Sequence, residues 1–355
     1  MRLLKNDKML QTIYFSRFAV MIKNIKIVIF IGFILVNTGF GYAKETLISG
    51  QTMGTTYHIK VVTSHSKKIS GLKEKIDKRL EEINQSMSTY RKDSEISRFN
   101  ALKIAGQRFK VSRDFAQVMM ESKKLYKLTG GAWDGSIYPL VNLWGFGKSE
   151  RINRLPTKEE IADLLMDIGF DNIDLVDGRY LLKKKASISI DLASIAKGYA
   201  VDKVAELIKK ENINNFLVEI GGEVYASGVK KDGRCWRVGV NRPRKEAPYD
   251  EIYKIVTLKD KAFATSGDYR NFFEVKGKHY SHILNPRTGY PVENGVVSVS
   301  IIAGTCTFAD GLATAVMVMG PAKGIELINA LPDVEGLIVV RQAGSQLADY
   351  PSIGF

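Results

Sequence analysis

The chain has 355 residues, 45% of them apolar and 25% charged, values that allow one large globular domain or two modest ones. Its formal charge is +14, but residues 1–43 hold six Lys/Arg against one acid, which leaves +9 for the remainder. No stretch after residue 44 has a disordered composition, no internal repeat signals a solenoid, and the basic residues fall in short runs such as Lys183-Lys184-Lys185 without interleaved aromatics, so nucleic-acid binding is not expected.

In chain order, residues 27–40 form a nearly charge-free apolar run preceded by Lys23 and Lys26 and followed by Gly41-Tyr42-Ala43. The run is shorter than the ~20 residues that span a bilayer and ends in a small-x-small pattern, so residues 1–43 read as a signal peptide cleaved after Ala43. Met21 would give a more usual start. An exported, periplasmic protein is expected, and the alternative is an uncleaved leader that holds the chain to the inner membrane. No Cys follows the cleavage site, so no lipid anchor is expected there. The two cysteines, Cys235 and Cys306, are too few for a disulfide-stapled fold and read as buried free thiols.

The remainder, residues 44–355, alternates hairpin and helix signals. A strand is expected over 52–62, and apolar residues recurring every three or four positions predict a helix over 71–87. A second helix is expected over 115–128, ended by Gly130-Gly131. Thr157 and Glu160 form a capping box for a helix through 168. Residues 173–176 and 180–184, joined by Asp177-Gly178, predict a hairpin. A strand over 188–192 leads into a helix over 194–210. Further strands are expected over 216–225, 236–241, 253–258, 272–275, 279–284, 296–302 and 336–340, and helices over 306–319 and 322–330. Without a regular β-α-β rhythm, the pattern predicts an α+β fold: a two-lobed single body of mainly antiparallel sheet with packed helices.

Several residue groups could carry chemistry. Asp310 and Thr314 are four apart on a predicted helix, hence on one face. They suit either Mg²⁺ coordination by hard oxygens or a dipole-complementing Asp beside a filler Thr. Asp191 stands at a strand end before a helix whose first turns hold Lys197 and Gly198, a place for an anion or metal or for a simple cap. Paired glycines at 221–222 interrupt an apolar strand, as a bulge or as a close approach of backbone to ligand. His282 precedes a Pro-x-x-Gly turn and could serve as a general base or as a structural residue. Aromatics at 133 and in Trp144-Gly-Phe-Gly147 could stack on a planar ring or pack in the core. No P-loop or G-x-G-x-x-G pattern is present.

The order of these motifs resembles the ApbE family, the FAD:protein FMN transferases, over essentially all of residues 48–345. The resemblance is carried by Thr52-Met-Gly-Thr55, Met87-Ser-Thr-Tyr90, Ser94-Glu-Ile96, Phe99-Asn100, Ala132-Trp-Asp134, Pro139-Leu-Val141 and Trp144 to Gly147. It continues through Asp191 to Gly198, Gly221-Gly222, Thr265 to Tyr269, Ser281 to Pro291 and Ala309 to Thr314.

The resemblance implies Mg²⁺ held by Asp310, Thr314 and the backbone carbonyl of Ser194, together with pyrophosphate oxygens of FAD. It implies an FAD pocket of Met53, Tyr90, Ala132, Trp133, Asp134, Asp191, Lys197, Leu284 and Ala313, with His282 as proton acceptor, and a two-lobed α+β body similar to the tunnelling fold. The implied reaction moves FMN from FAD to a Thr or Ser hydroxyl of an acceptor flavoprotein and releases AMP. The acceptor would carry an Asp-x-Ser/Thr-Gly/Ser-Ala-Thr motif and be a membrane redox subunit of Rnf or Na⁺-translocating NADH:quinone reductase type. That motif does not occur in this chain. Ala193 and Ser194 stand where the family more often has Gly or Ala, which a backbone ligand tolerates. An FAD pyrophosphatase and a non-catalytic flavin-binding protein are the alternative readings.

Overall fold

A computed structural model describes residues 43–65, 68–147, 154–244, 248, 251–269 and 271–355. The predicted leader, apart from Ala43, lies outside the described residues. β1 (Lys44–Thr52) and β2 (Thr55–Thr63) pair as a hairpin across Met53 and Gly54, at φ 50° and 72°. The single strand expected over 52–62 is thus the second arm of a hairpin. Met53, a non-glycine in left-handed backbone, conceals the turn.

α1 (Leu72–Met87) buries Leu72, Ile76, Leu80, Ile83 and Met87, the periodic positions that announced it. α2 (Glu95–Asn100), β3 (Phe109–Lys110), α3 (Arg113–Leu128) and α4 (Tyr138–Leu143) follow. Ser94 caps α2 and Ser112 caps α3. α5 (Lys158–Leu165) opens with the expected reciprocal Thr157–Glu160 box but ends before 168. β4 (Ile173–Val176) and β5 (Tyr180–Lys183) make the expected hairpin, with Asp177 and Gly178 at φ 53° and 64°.

Residues 188–192 form no ladder, contrary to expectation. A side chain serves the backbone instead: Asn100 accepts from the Ile190 N–H and donates to the Ile190 carbonyl, both at 2.8 Å. The segment enters α6 (Ala193–Lys210). β6 (Asn215–Ile220) and β7 (Glu223–Ser227) are antiparallel partners turning at Gly221 and Gly222, φ 63° and 107°, so the expected bulged strand is a hairpin.

β8 (Trp236–Asn241) and β9 (Ile252–Leu258) form a separate ribbon, and β10 (Lys261–Gly267) is a strand that the sequence did not announce. β11 (Phe272–Val275) pairs with β12 (Lys278–Ser281), and β13 (Val296–Ala303) leads into α7 (Cys306–Met319) and α8 (Pro321–Ala330). β14 (Glu335–Arg341) and β15 (Leu347–Pro351) close the chain. No described helix is long and apolar enough to cross a membrane. Both cysteines are free thiols; Cys306 is buried as expected, Cys235 only partly.

The main sheet has eight antiparallel strands in the order β1-β2-β6-β7-β10-β13-β14-β15. One face carries the helices and the main core, including Val218, Ile220, Ala262, Ala264, Val299 and Ile301. On the other face Leu217, Val224 and Phe263 meet Trp236 and Val240 of the β8–β9 ribbon around a cavity of about 470 Å³. A smaller apolar cluster gathers Leu140, Trp144, Ile161, Phe273, Tyr280 and Leu284. Residues 44–355 form one compact unit. At one end of the strands two hairpin tips lie side by side, the Gly221 N–H donating to the Thr56 carbonyl at 3.1 Å.

Candidate functional site

Beside those tips, on the helix face, a buried charged cluster joins β7, α6 and α7. Lys197 Nζ lies 2.5 Å from Glu223 Oε1, and Glu223 Oε2 is buried without a hydrogen-bond partner. Lys197 reaches Glu223 past Gly221, where an added Cβ would lie 3.4 Å from the Lys197 stem. Burial alone would lower the Lys197 ammonium, but the charges of Glu223 and Asp310 outweigh it and raise it. Burial raises the Glu223 carboxyl, Lys197 opposes the rise, and Asp310 adds to it. The ammonium thus pairs with one Glu223 oxygen, and the other is left over.

Asp310 is buried on α7, and its Oδ2 accepts from the Gly198 N–H at 2.9 Å. In α-helical geometry that N–H faces the carbonyl four residues back, which belongs to Ser194. The Asp310 carboxylate thus meets α6 at the turn that Ser194 begins. Gly198 permits this approach: a Cβ there would fall 2.3 Å from the Cys306 carbonyl oxygen and 2.8 Å from Asp310 Cβ. Asp202 holds the start of α7 in register by accepting from the Cys306 and Thr307 N–H groups, each at 2.8 Å.

Thr314, one turn beyond Asp310, has its Oγ1 3.0 Å from Ser266 Oγ at the end of β10. Asp310 is raised by burial, against the Lys197 charge and the Gly198 N–H. A divalent cation would offset that desolvation. Carboxylate, hydroxyl and backbone carbonyl are the hard donors that Mg²⁺ takes, and the buried Glu223 Oε2 in the same charged cluster has no hydrogen-bond partner, so the residues present fit that ion.

The Trp133 indole N–H donates to Ser194 Oγ at 3.0 Å, tying the 132–134 loop to the start of α6. Asp191 enters the same junction: its N–H donates to the Gly135 carbonyl and its Oδ1 accepts from the Ala193 N–H, both at 2.8 Å. The surrounding protein desolvates the Asp191 carboxyl and raises it, against the Ala193 N–H. Asp134 is buried and pushed up to about 6 by that burial. Its oxygens accept from the Ser136 N–H and hydroxyl and from the Phe170 N–H, so its side chain secures its own loop.

His282 follows β12. Its Nδ1 lies 2.8 Å from the Asn271 carbonyl, and because a carbonyl only accepts, Nδ1 carries the proton and Nε2 presents a lone pair. Burial lowers its pKa, the Asn271 bond opposes this, and the positive charge of Lys197 lowers it further.

Ala313 is buried between Asp310 and Thr314, and Ala132 lines a cavity of about 320 Å³ with Asn285, Arg287 and Lys323. Met53 sits at the β1–β2 tip beside Gly221-Gly222. Leu284 packs in the smaller cluster with Trp144, and Tyr90 is 66% exposed on the loop after α1, so neither is part of the charged cluster. Sequence reasoning missed Glu223 and Ser266. The signal for Glu223 was a carboxylate in the otherwise buried strand Glu223–Ser227. It also missed the Asn271 carbonyl, which only the fold brings to His282.

Comparisons with known proteins give the family. A model described as the ApbE family matches residues 53–338. The chain is similar to an FAD:protein FMN transferase of Vibrio cholerae serotype O1, 43% identical over 289 residues, 81% of this chain and 85% of that protein. It is similar to the protein of the same name from Haemophilus influenzae, 40% identical over 292 residues, covering 80% and 84% of the two chains. Among solved structures, the flavin transferase ApbE from Vibrio cholerae superposes with a TM-score of 0.79 at 40% identity, covering 88% of this chain and 98% of that one. The apo form of Pseudomonas stutzeri flavinyl transferase ApbE gives a TM-score of 0.79 at 37% identity, covering 90% and 98%.

Proposed function

The chain belongs to the ApbE family, and from that premise we infer that it is an FAD:protein FMN transferase. The observation that carries this reading is the buried junction of α6 and α7, where Asp310 Oδ2 accepts from the Gly198 N–H and Lys197 pairs with Glu223. We further propose that Mg²⁺ is held by Asp310, Thr314 and the Ser194 carbonyl. When bound, it would neutralise charge on the FAD pyrophosphate. Lys197 and the start of α6 orient the phosphates. Trp133, tied to Ser194, walls the flavin side together with Met53, Tyr90, Ala132, Asp134, Asp191, Leu284 and Ala313.

In the reaction, a Thr or Ser hydroxyl of the acceptor attacks the phosphorus on the FMN side. A new P–O bond forms, the anhydride P–O bond breaks, and AMP leaves. His282 Nε2 receives the hydroxyl proton; the Asn271 carbonyl fixes the tautomer, and the lowered pKa keeps the ring neutral at pH 7. We propose as acceptor a membrane redox subunit of Rnf or Na⁺-translocating NADH:quinone reductase type that carries the Asp-x-Ser/Thr-Gly/Ser-Ala-Thr motif, met in the periplasm.

The test is mass spectrometry of a peptide with that motif after incubation with the protein, FAD and Mg²⁺. The expected gain is about 438 Da, FMN less water, as a phosphoester. AMP and free FMN without adduct would make the protein an FAD pyrophosphatase, and neither product would make it a flavin-binding protein.

A further inference from the structure

The segment that delivers Asp191, Ser194 and Lys197 is not held by the sheet. Residues 188–190 run extended without a strand partner, so their backbone groups must be satisfied in another way. The Asn100 amide does this for Ile190 in both directions, at 2.8 Å each, the pattern that a neighbouring strand would supply. Asn100 is the last residue of α2, 90 positions upstream.

Asn100 is itself anchored. Lys183 at the end of β5 is 1% exposed, and its Nζ donates to the Asn100 carbonyl at 3.1 Å and to the Leu102 carbonyl at 3.3 Å. Its ammonium also lies 5.1 Å from the centre of the Phe99 ring. A wholly buried lysine without a carboxylate partner is costly, and here it closes the end of a helix whose last side chain grips Ile190. On the far side of that grip, the Asp191 N–H is taken by the Gly135 carbonyl. Two consecutive residues are thus fixed by two different elements, four and three residues before Ser194.

We propose that Asn100, braced by Lys183, is a positioning residue for the metal- and phosphate-binding turn, and acts by fixing where the Ser194 carbonyl and Lys197 stand relative to Asp310. The inference rests on the reading of that turn given under Proposed function. Asn100 touches no reacting atom. Its amide must both donate and accept, so the near-isosteric Asp cannot replace it at neutral pH: a carboxylate oxygen would face the Ile190 carbonyl.

The test is Mn²⁺ binding by electron paramagnetic resonance, with FAD present, on wild type, Asn100→Asp and Lys183→Met, alongside thermal unfolding and transfer kinetics. The expected result is a Mn²⁺ dissociation constant raised about tenfold or more in Asn100→Asp, the size typical of groups that orient metal ligands. Saturating metal should restore most of kcat. Lys183→Met should show the same shift in smaller degree. A variant that unfolds at lower temperature but binds Mn²⁺ as wild type does would overturn the proposal and leave Asn100 a stability residue. Should Asn100→Asp fail to fold, Lys183→Met decides by the same criterion. A wild type that binds no Mn²⁺ would instead sink the metal reading itself, so the two failures are distinguishable.

Discussion

The Lys197 ammonium and the Glu223 carboxylate meet at 2.5 Å, one from the second turn of a helix and the other from the first residue of a strand. Glu223 is 2% exposed, so neither charge can be removed alone without stranding the other. Lys197→Met should lower the unfolding free energy by about 3 kcal/mol, and adding Glu223→Gln should restore much of it. Urea denaturation of both single variants and the double variant checks this. Strictly additive losses would mean that the pair is not coupled.

Asp310→Asn keeps the size and the Gly198 contact but removes the charge proposed to hold Mg²⁺. Transfer should fall at least about 100-fold. The melting temperature of the wild type should rise with Mg²⁺ and FAD, as it does for any ligand that binds only the folded state, and that of the variant should not. An equal rise in both would remove Asp310 from the metal site.

His282 gives the pH dependence. The neutral ring is the proposed proton acceptor, and its folded pKa lies below the ordinary 6.5. Activity should therefore be full at pH 7 and be lost only as pH falls through that lower value. In kcat/KM against pH, the acid limb should sit below 6.5 and disappear in His282→Ala, whose kcat should drop by about 10²–10⁴ with FAD affinity little changed. Comparable losses in kcat and affinity would make His282 a binding residue.

Gly198→Ala places a methyl group 2.3 Å from the Cys306 carbonyl oxygen, against backbone that cannot rotate away. α6 and α7 must separate, at about 1–3 kcal/mol for overpacking, and the Gly198–Asp310 bond lengthens with them. A lowered urea midpoint together with a higher Mg²⁺ concentration for half-maximal transfer is expected. Wild-type values for both would show that the helices yield without cost.

Helices with strict apolar spacing, such as residues 71–87, were legible because one face alone decides their burial. Glycine-marked turns were legible where the marker is asymmetric, as at Asp177-Gly178, and misleading at Gly221-Gly222, where flanking apolar residues continue on both sides. The 188–192 segment reads as a strand because it is buried and apolar, yet its hydrogen-bond partner is a side chain 90 positions away, which no local pattern encodes. Asp310 and Thr314 share a helix face by spacing alone. Glu223 and Ser266 joined them only once the order of strands was known.

The contact between Gly198 and Asp310 spans 112 residues. A polypeptide whose synthesis stops short of α7 therefore possesses Lys197, Glu223 and the start of α6 but no Asp310 to meet them. In the proposed site such a product would lack its central carboxylate, so the full set of ligands would exist only once synthesis had passed α7.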